Sequence, residues 1–127
     1  MAQGIQHPDY QRLTQMPDAV LWKMALTGEI IEISPSIEQV RGITQAEALT
    51  QSIDQIHPPD SMKISLAYFE QFSRDALAGE VPEPFLGELE YLHADGSLVT
   101  CEVIVIPETN EDGDLIGILG VSAPVRR

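Results

Sequence analysis

Two alternating apolar runs near the end of the chain, Phe85 to Leu92 and Leu98 to Ile106, enclose the turn His93-Ala94-Asp95-Gly96-Ser97. A second turn, Asn110-Glu111-Asp112-Gly113-Asp114, leads into a third run, Leu115 to Val121. Each Asp-Gly step supplies the left-handed backbone that a short hairpin turn requires, so the three runs are predicted to form an antiparallel meander. Alternation also sorts the middle run. Cys101 shares one face with Val99, Val103 and Val105, while Leu98, Thr100, Glu102, Ile104 and Ile106 share the other.

The first third of the chain adds a second sheet element. Asp9 to Gln15 reads as a short helix, stopped at Met16-Pro17 because the residue before proline avoids helical geometry. Ala19 to Ala25 and Glu29 to Ile33 read as strands paired through a turn at Thr27-Gly28. Ser34-Pro35 carries the signal for a helix start, with Gly42 as its left-handed stop. Thr44 and Glu47 stand at capping-box spacing for another short helix, and Ser52 to Ile56 adds one more turn. Asp60 is placed to cap the longest helix, which runs to about Ala78 before Gly79. Residues 62, 66, 69, 72, 76 and 77 form its predicted buried stripe, widened by Ile64, Ala67 and Tyr68. This order predicts one α+β domain with an antiparallel sheet of about five strands and helices gathered on one face.

The chain has 127 residues, enough for a domain that buries roughly 65–70% of the surface its unfolded chain exposes. Seven basic residues against twenty acidic ones give a net charge of −13, which disfavours nucleic acid and anionic membrane surfaces as partners. Cys101 is the only cysteine, so an internal disulfide is impossible. The start, Met1 to Pro8, lacks the basic and apolar regions of a leader, and no run is long enough to span a bilayer. A soluble, cytoplasmic domain is expected, either free or as a piece of a membrane-anchored sensor.

Six sequence elements, in order, resemble the PAS domain, a sensory module of histidine kinases, cyclic-dinucleotide enzymes and transcription regulators. They are Thr27-Gly28-Glu29-Ile30, Ser34 to Gly42, His57-Pro58-Pro59-Asp60, Asp95-Gly96-Ser97, Pro107, and Asp112-Gly113 followed by Gly117 and Gly120-Val121. The resemblance runs from about Asp18 to Val121. It implies a PAS-like, profilin-like fold over 18–122, preceded by a helical extension over 1–17 and followed by a tail or linker start over 123–127. Ala25-Leu26 departs from the family where relatives often place aspartate, and Ser34 stands where asparagine is common. The end departs further: Ser122-Ala123-Pro124 replaces the Asp-Ile-Thr that commonly leads to an effector. Proline lacks an amide for the ladder, so the last strand is expected to stop there and the output connection to be missing.

No serine sits in a Gly-x-Ser-x-Gly elbow, and His7, His57 and His93 fall in turn-like or terminal sequence without metal-ligand spacing. His57 is expected to fix a turn and His93 to be solvated. A non-catalytic module follows. The resemblance implies haem, flavin, a small metabolite or nothing as cofactor. Covalent flavin is disfavoured because Ser52 to Ile56 lacks the reactive cysteine of flavin-adduct relatives. Haem is disfavoured because Ser61 to Ala78 lacks a histidine. The cofactor is thus left unidentified, with a small organic ligand as the open choice.

The candidate site is the space between the sheet's inner face and the helices, lined by Trp22, Ile33, Val40, Phe69, Phe72, Leu89, Tyr91, Cys101 and Val103. Two readings stand side by side. Either these large side chains meet and fill the space, or they wall a pocket in which Trp22, Tyr91 and Cys101 supply polar handles. The outer face, with Leu98, Ile104 and Ile106, is expected to pack the N-terminal helix around Tyr10 and Leu13, or a second copy in a homodimer. The expected role is sensory: the domain regulates an attached or partner effector, or serves as a ligand-free dimerisation module. A small hydrolase or isomerase is the remaining alternative, and it requires Asp54, Glu88 or Glu90 on the inner face beside a histidine.

Overall fold

The computed structural model describes residues 7–125; Met1 to Gln6 of the N-terminal extension and Arg126-Arg127 of the tail lie outside them. Helix α1 (Pro8–Thr14) leads into β1 (Val20–Met24) and β2 (Ile30–Ile33). Three short helices, α2 (Ile37–Arg41), α3 (Gln45–Ala48) and α4 (Ile53–Ile56), precede the long α5 (Pro59–Leu77). The meander follows as β3 (Phe85–Leu92), β4 (Leu98–Thr109) and β5 (Leu115–Pro124). All strand pairs are antiparallel and the sheet order is β2-β1-β5-β4-β3. The first hairpin therefore joins the meander along β5, and the five-stranded α+β architecture expected from the sequence is present.

The join depends on a close approach. Trp22 pairs with Gly120, and its ring lies where a Cβ on Gly120 would stand. The indole Nε1 donates to Ser122 Oγ at 3.1 Å. A tryptophan laid flat across a central strand needs a residue without a side chain beneath it.

Alternation along β4 divides the core as expected. Cys101, Val103 and Val105 join Leu89, Ile118, Ile37, Val40, Ile43, Ala48 and Phe72 in the core under α2, α3 and α5. On the other face Ile104, Ile106, Val121 and Ala123 close around Leu13 of α1. Arg12 fixes the same helix, donating to both carboxylate oxygens of Glu102 at 2.7 and 3.2 Å. This exposed pair contributes about 1 kcal/mol at most, so Leu13 carries the docking.

Four expectations need correction. Helix α2 begins at Ile37 with Ser36 as N-cap, two residues later than Ser34-Pro35 suggested. Ser34 Oγ instead accepts the Leu21 amide and bonds Ser36 Oγ, while Ser36 Oγ donates to Ala19 O, so these serines tie the helix entry to β1. Pro58, not Asp60, is the N-cap of α5, and Asp60 stands in the first turn, where its charge favours the helix dipole. The buried stripe of α5 is rotated to Ser61, Ser65 and Phe72, leaving Ile64 and Leu66 exposed and Leu77 89% exposed. On that face the Ser61 hydroxyl accepts the Glu90 amide at 2.8 Å, tying it to β3 alongside the packing of Phe72.

The fourth concerns the end of β5. Ala123 and Pro124, assigned to the tail, belong to the sheet, paired with Glu102 and Cys101. Val125 N donates to Thr100 O, so the ladder to β4 continues past the proline. Alternation aims the Pro124 nitrogen at the β1 side, where β1 has already ended, and no ladder donor is lost.

Gly120→Ala is expected to lower stability by about 1–3 kcal/mol through overpacking against Trp22, measured by denaturant unfolding. Leu13→Ala is expected to cost about 2–5 kcal/mol in the same unfolding measurement, because it empties the centre of the cluster that docks α1.

Candidate functional site

A cavity of about 540 Å³ lies between the inner sheet face and helices α2 to α5. All nine candidate residues, Trp22, Ile33, Val40, Phe69, Phe72, Leu89, Tyr91, Cys101 and Val103, line it. Each follows from its element: odd positions on β3 and β4 face inward, and α5 contributes the aromatic pair Phe69 and Phe72, with ring centroids 6.5 Å apart. Several of these side chains pack against one another around its margins, and a cavity remains between them. Short helices and the small residues Ala48 and Ser65 leave it open.

The polar groups of the cavity form two clusters. In the first, Ser122 Oγ receives Trp22 Nε1 and bonds the Tyr91 hydroxyl at 2.7 Å. Burial pushes the Tyr91 phenol well above its ordinary range, so it is a neutral donor or acceptor at any physiological pH. Burial likewise pushes the Cys101 thiol up to about 12, which leaves it a small hydrophobe with negligible thiolate.

The second cluster, Arg41 and His57, was not placed in the candidate site by the sequence reading, which gave His57 a turn-fixing role only. Arg41 is 4% exposed, its Nε donating to Leu92 O at 2.9 Å and one Nη to Gln55 O at 3.1 Å. His57 is 7% exposed, with Nδ1 2.7 Å from Glu90 O and its ring 4.6 Å from that of Tyr91. A carbonyl oxygen only accepts, so Nδ1 carries the proton in the neutral ring. Burial first, and then the charge of Arg41, lowers the His57 pKa below 6.5. Both residues line the cavity. His57 does fix the turn before α5, as expected, yet it is also a wall of the site. The one sequence signal for Arg41 was its place one residue before the closing glycine of α2, on the face shared with Ile37.

His93 is not solvated as expected: its side chain is 25% exposed, and its ring packs where a Cβ on Gly42 would stand. Gly42 also has φ +71°, so backbone and packing both demand glycine there. Glu88 and Glu90 pair with Glu102 and Thr100 on the outer face, and Asp54 bonds Ser52 Oγ. The acid–base pair that a hydrolase or isomerase requires is therefore not assembled from them. Among the described residues no group of three or more His, Cys, Asp or Glu side chains stands ready to hold a metal ion. No helix among them is long and apolar enough to cross a membrane.

An antiparallel sheet in the order 2-1-5-4-3, with helices over one concave face, defines a PAS-like class of α+β fold. The PAS domain family matches residues 17–122, and the chain belongs to that family. Its members are sensory modules, generally non-catalytic. The chain is similar to a PAS domain of a protein from Colwellia psychrerythraea, at 21% identity and TM-score 0.66, over 94% of this chain and 98% of that one. It is also similar to a domain of a putative light and redox sensing histidine kinase from Haloarcula marismortui, at 16% identity and TM-score 0.66, covering 94% and 100%. The N-terminal domain of a diguanylate cyclase with PAS/PAC sensor from Marinobacter aquaeolei matches at 21% identity and TM-score 0.62, covering 84% and 94%. At these identities the likeness shows the fold alone. No curated protein matches the chain.

The lowered His57 pKa has a consequence for stability. As pH falls below 6.5 the unfolded chain protonates this histidine before the folded one does, so the folded state loses stability. Unfolding free energy is expected to fall between pH 7.5 and 5.5, and His57→Gln is expected to flatten that slope, measured by denaturant titration at each pH.

Proposed function

We propose that the domain binds one small organic molecule in the inner cavity and passes its occupancy to an attached or partner effector, such as a histidine kinase or a cyclic-dinucleotide enzyme. The single observation that carries this is the open 540 Å³ space itself, which falls within the usual range for ligand pockets. Its walls are mostly apolar, with polar groups at Trp22, Ser122 and Tyr91 that fix orientation. The effector classes are those named for two of the structural neighbours.

A ligand-free dimerisation module is the second reading. Leu21, Leu86 and Leu98 favour it: each is more than a third exposed on the outer face, beside the patch that α1 covers. Helix α1 already shields Ile104 and Ile106, which removes part of the surface that a second copy was expected to cover.

Native mass spectrometry of the full chain separates the two. A ligand-binding sensor is expected to carry a bound mass, or to gain thermal stability on addition of a member of a panel of small amphipathic molecules. Selective binding at about 100 times Kd adds about 2.7 kcal/mol to unfolding. Ser65→Phe, which directs a ring into the cavity from α5, should abolish that response while keeping a cooperative unfolding transition. A dimer that carries no mass and responds to no member of the panel would support the second reading instead.

A further inference from the structure

Arg41 is a charge in an unusual place. Removing a guanidinium from water is costly, and proteins ordinarily offset that cost with a carboxylate held in contact. Arg41 is 4% exposed and takes part in none of the ion pairs among the described residues. The groups that feel its charge are Tyr91, Cys101 and His57, and all three are neutral at pH 7. Two backbone carbonyls, Leu92 O and Gln55 O, take two of its five N–H donors. Three donors and a full positive charge remain at the wall of the cavity.

We propose that the cavity is built for an apolar acid, with the ligand's carboxylate paired to Arg41 and its apolar body lying along the walls. This deepens the reading of the cavity as a ligand site and rests on it. The valence matches: a carboxylate carries one charge and accepts N–H donors on both oxygens, and the guanidinium has three N–H groups left after its two carbonyl bonds. A phosphate dianion would leave one charge uncompensated in the same low-dielectric wall, so the carboxylate is the better partner.

The remainder of the ligand is apolar for a second, independent reason. Leu26, Leu49 and Leu66 line the cavity while remaining 48%, 42% and 47% exposed, so the route from solvent is greasy. The strand register places these features lengthwise. The β1–β2 turn, which carries Leu26, lies beyond Met24 and Ile118, at the end of the sheet where β3 starts. Leu92, whose carbonyl holds Arg41, lies at the opposite end. An elongated acid with its head at Arg41 therefore runs its tail toward the Leu26 end.

Decanoate and decanol, added separately below their aggregation limits, test this by titration calorimetry on the full chain. They share a tail and differ in the acid. Decanoate is expected to bind roughly tenfold or more tightly than decanol, the scale of a charge-assisted hydrogen-bonded pair. In ¹⁵N-labelled protein, the Arg41 Nε–Hε signal should move with decanoate and stay in place with decanol. Arg41→Gln should erase the preference by weakening decanoate alone. If Arg41→Gln does not fold, the wild-type preference and the Nε–Hε signal still decide. Equal or tighter binding of decanol would overturn the acid assignment while leaving the cavity a ligand site. Absence of binding by either compound, or by any member of the amphipathic panel, would overturn both.

Discussion

Strand β1 reaches β5 across nearly the whole length of the chain, and the contact that permits it is Trp22 lying over Gly120. The sheet depends on that join, because β2 has no other neighbour than β1 in the order 2-1-5-4-3. The indole brings a second consequence. Its Nε1 fixes Ser122, and Ser122 fixes the Tyr91 hydroxyl on β3, so one hydrogen-bonded chain spans β1, β5 and β3 across the inner face. Buried polar groups of this kind are stabilising only when each has a partner, and here all three do.

The same arrangement explains why the concave face is not filled. Along β4 and β5 its floor is formed by small or medium side chains, Cys101, Val103, Val105, Ile118 and Ser122, with Gly120 adding none. The roof is held at a distance by backbone-directed bonds: Ser61 on the Glu90 amide, His57 on the Glu90 carbonyl and Arg41 on the Leu92 carbonyl. Three polar side chains thus pin the short helices and α5 to one strand, β3. Apolar packing then closes the sides and not the middle. A cavity of this size would cost stability if it served only packing, since its lining forgoes dispersion contacts.

Much of the fold was legible because it rests on local signals. Two Asp-Gly turns, alternation along β4 and the left-handed Gly42 each predict a structure with its own mechanism. The strand side of the lining followed from the same alternation, and the helix side, Val40, Phe69 and Phe72, from spacings of three and four. What stayed hidden depends on tertiary context. Hydrophobicity along α5 pointed to Leu66 and Leu77, but the face that meets the sheet carries Ser61, Ser65 and Phe72, with Ser61 bonded to the Glu90 amide of β3. Pro124 looked like a strand end, because its harmlessness depends on where β1 starts. Arg41 carried no signal of its own on a short helix; its burial depends on the carbonyls of Leu92 and Gln55, which tertiary folding brings to it.

Strand β4 is where the two halves of the molecule meet. Cys101 and Val103 face the cavity, while Glu102 and Ile104, their immediate neighbours, hold Arg12 and Leu13 of α1. Close-packed interiors transmit strain, so a ligand that displaced an inward β4 side chain would load the outward neighbours on the same strand. Under the proposed reading, this places the N-terminal helix one side chain away from the ligand. Differential contact with the two states of the domain is the requirement for any ligand to shift it, and the β4 alternation supplies the mechanical path along which that difference reaches the surface.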